Sequence, residues 1–78
     1  MPTKAQQKKA DKKRKKIIGG SIYQSREAKK IELEDFAKTM GTTIMTVLNW
    51  ENGVYFPSSR FINKIAETLE IEAADLLR

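Results

Sequence analysis

Residues 33–53 read LEDFAKTMGTTIMTVLNWENG, two short segments with a glycine between them. In the first, Leu33, Phe36, Ala37 and Met40 recur at i, i+3, i+4 and i+7, the apolar stripe of one helix face. Gly41 suits the left-handed backbone that stops a helix and reverses the chain, and Thr42 or Thr43 can cap a new helix immediately afterwards. The second segment is expected to be helical from about Ile44 to Glu51, with Asn52-Gly53 as its stop signal.

Helical signals continue on both sides. Upstream, Ser21 followed by Gln24 has the form of a capping box, which predicts a first helix from about Ile22 to about Lys30. Downstream, Pro57-Ser58-Ser59 opens a fourth helix with the stripe Phe61, Ile62, Ile65, Ala66 and Leu69, and a short fifth holds Ala73, Ala74, Leu76 and Leu77. No run long enough for a strand alternates with period two. The expected class is therefore all-α with five short helices. A domain of about 60 residues buries only roughly 60% of its unfolded surface, so its expected stability is modest.

Charge divides the chain. Residues 1–16 carry eight basic groups against Asp11 alone, a net of +7, whereas the other 62 residues hold seven basic groups against nine acidic ones, a net of −2. The basic segment has no apolar face and spaces like charges four apart, as in Lys8 with Lys12 and Lys9 with Lys13, so it is expected to be a disordered arm. Gly19-Gly20 reads as a flexible joint. The expected division is thus an arm and joint at 1–20 and a folded domain at 21–78. Arms of this kind meet polyanions, because each phosphate neutralised releases condensed counterions. Lys12, Lys13, Arg14, Lys15 and Lys16 are the phosphate candidates within it; a solubilising tail or a nuclear address is the plainer alternative.

Other chemistries are narrow. With no Cys and no His, the 78 residues offer no disulfide, thiolate, Ser-His-Asp relay or Cys/His zinc site, and no metal or cofactor is expected. Glu32, Glu34 and Asp35 form a carboxylate cluster on an open helix surface, where favourable charge at a helix N-terminus accounts for them. An enzyme is not expected. The apolar runs are far shorter than the roughly 20 residues a membrane span needs, and the charged N-terminus lacks the core of a signal peptide. A cytoplasmic protein with no membrane partner is the expectation.

Two helices joined by a glycine-containing turn match the helix-turn-helix, whose second member enters the major groove. From Ile22 to Leu77 the chain resembles, without gaps, the Cro and phage-repressor family of helix-turn-helix domains, which are lambda-repressor-like in fold. The signposts are Arg26, Phe36-Ala37, Gly41-Thr42-Thr43, Val47, Glu51-Asn52-Gly53, Pro57, Ala66 and Leu69. Most of these fill the core. The resemblance implies a partly buried ion pair between Arg26 and Glu51, base reading by Ile44, Met45 and Asn49, and sugar-phosphate contact by Thr43 and Asn52. It also implies a homodimer on a pseudo-palindrome with half-sites about 34 Å apart. One departure stands out: Glu32-Leu33 replaces the polar pair that anchors a phosphate in relatives.

The exposed face follows independently from helix geometry. At about 100° per residue, inward Val47 and Trp50 leave Met45 and Asn49 outward, with Thr46 and Leu48 on the flanks and Ile44 projecting forward. An Asn amide donates and accepts at once on the N6 and N7 edge of adenine, whereas Ile44 and Met45 can only pack on thymine methyl groups. The expected site therefore contains A·T pairs. Thr46, Arg60 and, secondarily, Lys29 or Lys30 are further phosphate candidates.

The function expected from these features is sequence-specific binding of double-stranded DNA by a transcriptional regulator, a repressor acting by occupancy. The chain leaves no room for a sensor domain, so control is expected from concentration, competition or a separate partner. The alternative is a protein-interaction adaptor, an antitoxin or anti-regulator, that docks a protein partner on Ile44, Met45 and Leu48. Leu76 and Leu77 are open to two readings, dimer contact or monomer core.

Overall fold

The structure, a computed structural model, describes residues 4–76, with side chains from residue 12 onward. Five helices follow one another: α1 Lys4–Ala28, α2 Leu33–Met40, α3 Ile44–Glu51, α4 Ser59–Leu69 and α5 Ala73–Leu76. Among the described residues there is no strand, as the missing period-two pattern requires.

α2, α3 and α4 start where their residues say they should, and α2 and α3 also stop there. Phe36, Ala37 and Met40 turn the α2 stripe inward, and Gly41 ends the helix at φ 74°, ψ 34°. Its amide and that of Thr42 return to the carbonyls of Lys38 and Ala37 at 3.0 Å, closing the last turn. Thr43 rather than Thr42 caps α3: its hydroxyl accepts from the Thr46 amide at 3.2 Å. α4 follows a buried Pro57, and Ile62, Ile65, Ala66 and Leu69 face the core. At the centre, Ile22, Phe36, Val47, Ile65 and Leu76 are fully enclosed, each worth about 1.5–3 kcal/mol of transfer free energy. Trp50 meets Phe61 ring to ring at 4.9 Å. Leu76 is thus a core residue of the monomer, and Leu77 lies outside the described residues.

The first helix departs from the sequence reading. It begins at Lys4, not at Ile22, so the expected disordered arm is helical from Lys4 onward, and Ser21 lies inside the helix instead of capping it. The Gly19-Gly20 pair is not a break either. α1 runs unbroken through it, which puts Ile18 and Ile22, one turn apart, on the same buried face. Gly19 sits directly on the end of α3, where a Cβ would collide with the carbonyl oxygens of Trp50 and Glu51. Close approach of backbones, not freedom to turn, is what a glycine supplies there. α1 also ends two residues early, at Ala28, with Lys30 in the left-handed region at φ 57° and the amide of Ile31 returning to the Arg26 carbonyl at 3.1 Å.

Candidate nucleic-acid interface

α3 presents two faces. Val47 and Trp50 are buried, which turns Met45 outward at 64% exposure and leaves Ile44 at 42%. Asn49 and Leu48 are half-buried on the flank of that surface. The Asn49 amide makes no hydrogen bond among the described residues, so its donor and its acceptor are both unused within the fold.

The N-terminus of α3 carries a pair of hydroxyls. The Oγ1 atoms of Thr43 and Thr46 lie 3.0 Å apart, and the Thr43 oxygen also accepts the Thr46 amide. One hydroxyl hydrogen is used between the two threonines, which leaves the other free to donate outward to an anion. At the opposite end Asn52 closes the helix in right-handed geometry, φ −86° and ψ 0°, with its side chain exposed.

The ion pair implied by Arg26 and Glu51 is present. Arg26 donates from Nε and Nη2 to the Oε1 of Glu51 at 3.1 and 3.0 Å, and from Nη1 to the Ile31 carbonyl at 2.7 Å. Both side chains are nearly closed to solvent, at 7% and 4%. One guanidinium therefore ties α1, the turn into α2 and the end of α3 together, and the Glu51 Oε2 is buried without a partner among the described residues. This is scaffold, not reading surface.

Basic groups cluster at the far end. Lys12, Lys13, Arg14 and Lys16 are exposed on α1, and Lys15 is half-buried with its Nζ 5.6 Å from the centre of the Phe56 ring. Because α1 meets the end of α3 and the turn after it at Trp50, Glu51 and Gly53, these charges flank the C-terminal end of α3, whereas Ile44 and Met45 occupy its N-terminal end. The two groups are separated by the length of α3, about 12 Å for eight residues at about 1.5 Å each. Arg60, exposed, lays its guanidinium 5.1 Å from the Phe61 ring centre, and Glu32 stands exposed before α2 with no side-chain cap bond.

One exposed surface has no counterpart among the sequence expectations. Val54, Tyr55 and Phe56 are 48%, 59% and 39% exposed in the turn between α3 and α4. Three apolar residues between a glycine and a proline, too short for any helical period, were the available signal.

The fold and this arrangement define a small helix-turn-helix domain with a basic helical extension. A family model described as a helix-turn-helix domain matches residues 19–78. The chain belongs to that family, and membership points to a DNA-binding regulatory function. The match begins at Gly19, so the basic segment stands outside it. Comparison with curated proteins and with solved structures found no match. No helix among the described residues is long and apolar enough to cross a membrane.

Proposed function

We propose that the protein is a sequence-specific, double-stranded-DNA-binding transcriptional regulator of the Cro and phage-repressor type that represses by occupying its site. α3 enters the major groove, Ile44, Met45 and Asn49 face base edges, and Thr43, Thr46, Asn52 and Arg60 face the sugar-phosphate backbone. Lys12, Lys13, Arg14, Lys15 and Lys16 supply most of the electrostatic attraction, since the rest of the chain is net acidic. The protein acts as a homodimer in the cytoplasm, on the nucleoid when bound.

The observation that carries this reading is the outer surface of α3: an amide with no partner among the described residues, beside two apolar side chains that the core does not use. An unused amide is matched to adenine, and apolar neighbours are matched to thymine methyl groups. Selection of bound sites from a random duplex pool tests it. Paired half-sites with A·T beneath α3 are expected; salt-sensitive binding without any motif overturns base reading.

The exposure of Ile44 and Met45 also favours a second reading, an adaptor whose α3 surface docks on a protein. In that case Leu48→Glu abolishes partner binding while Asn49→Ala leaves it intact.

A further inference from the structure

The basic part of α1 is a helix held in one direction. It is fixed just before it leaves the domain by Lys15 over Phe56, the Lys16 backbone against Gly53, Ile18 in the core, and Gly19 on the Trp50 and Glu51 carbonyls. The buried face of α1, Arg26, Ile22 and Gly19, continues at the same helical spacing into Lys15 and Lys12. Beyond the domain, the face that packed on α3 is therefore basic.

That charge is not neutralised within the described part of the fold. The first turn of α1 contains no acidic residue, so cations crowd the positive end of the helix dipole. Lys12 and Lys16 repeat the unfavourable four-residue spacing of like charges. The ion pairs among the described residues all lie elsewhere. A row of phosphates relieves both penalties at once.

We propose that residues 4–16 engage duplex DNA as a rigid helical rail along one phosphate backbone, aimed past the C-terminal end of α3, and not as a loose charged tether. The inference rests on the DNA-binding reading above and adds a geometry to it. The rail and the reading helix are one body, so the flank met by the rail has a fixed position relative to the bases under Asn49.

Ala10 tests the helix without touching charge. In the full chain, Ala10→Gly weakens an alanine helix position and Ala10→Pro breaks the helix, while every lysine and the anchoring groups from Lys15 to Gly19 are kept. Affinity for a short labelled duplex is read by fluorescence anisotropy across a salt series, and backbone protection by hydroxyl-radical footprinting. A rail already helical before binding predicts at most about fivefold weaker binding for Ala10→Gly, the limit at which a penalty of about 1 kcal/mol falls wholly on the bound state, at about 1.4 kcal/mol per tenfold. It predicts a loss of tenfold or more, with the flanking protection gone, for Ala10→Pro. Equal affinity, salt slope and protection in both variants overturn the rail and leave DNA binding standing. A wild-type protein that binds no duplex at low salt overturns both.

Discussion

At Arg26 one side chain joins three parts of the fold, and its cost of removal follows from burial. Taking away either partner of a buried pair strands the other charge, which costs about 3–5 kcal/mol. Arg26→Met and Glu51→Gln should each lower unfolding free energy by about 3 kcal/mol in denaturant titration, and the double variant should cost little more than the worse single one. Additive losses would show that the two groups act independently. The pair was legible only by resemblance, since no spacing rule connects two residues 25 apart. Asn49 was legible only in part: fixing Val47 and Trp50 inward places it outward with Met45, whereas it lies half-buried on the flank beside Leu48. Tyr55 and Phe56 were not legible, because exposure of a short apolar run in a turn has no period to announce it.

Among the elements, α2 and α3 match their expected spans because an amphipathic stripe and a stop signal agree at each end. The start of α1 escapes a sequence reading because lysine repulsion and paired glycines are local signals, and a tertiary contact overrides them: Gly19 is the residue that lets α1 lie on α3. The element ends also differ in strain. Lys30 and Glu70 reverse the chain at φ 57° and 56°, a conformation that costs a non-glycine residue about 1–2 kcal/mol. Lys30→Gly should therefore raise the thermal midpoint, with a net gain of about 0.5–1 kcal/mol after glycine's own entropy cost. An unchanged or lowered midpoint would count against the strain. The same two reversals are joined by Lys29 and Glu70, 2.9 Å apart. Hydrogen bonding from Lys29, then its charge, holds the Glu70 carboxyl below the ordinary glutamate value. The folded value is the lower one, so the pair's small stabilisation is present above the unfolded value and fades as pH falls through the folded value. NMR titration should show Glu70 returning to the ordinary value in Lys29→Met, and the stability difference between the two proteins should vanish in strong acid.

For the whole molecule, the separation of the basic segment from the outer surface of α3 sets the behaviour. An acidic domain of net −2 carries the proposed base-reading helix, and a segment of net +7 leaves from the far end of that helix. Neutralising Lys12, Lys13 and Arg14 to Gln should weaken binding to every duplex alike. The salt slope should shrink by about 0.9 for each phosphate no longer neutralised. A slope unchanged from wild type would place those side chains away from DNA. The all-α class and the order of elements were readable in the sequence. The joining of arm and domain into one body was not, because it depends on a backbone contact between α1 and α3 that no sequence pattern encodes.

Whether the outer surface of α3 reads bases is decided most sharply at Asn49. On a selected site, Asn49→Ala and an A·T to G·C exchange at each half-site position are combined and all affinities are measured at one salt concentration. Base reading by Asn49 predicts one position where the exchange costs the wild type about 1–3 kcal/mol and costs Asn49→Ala almost nothing. If every exchange costs both proteins the same, Asn49 reads no base and the adenine contact assigned to it does not exist.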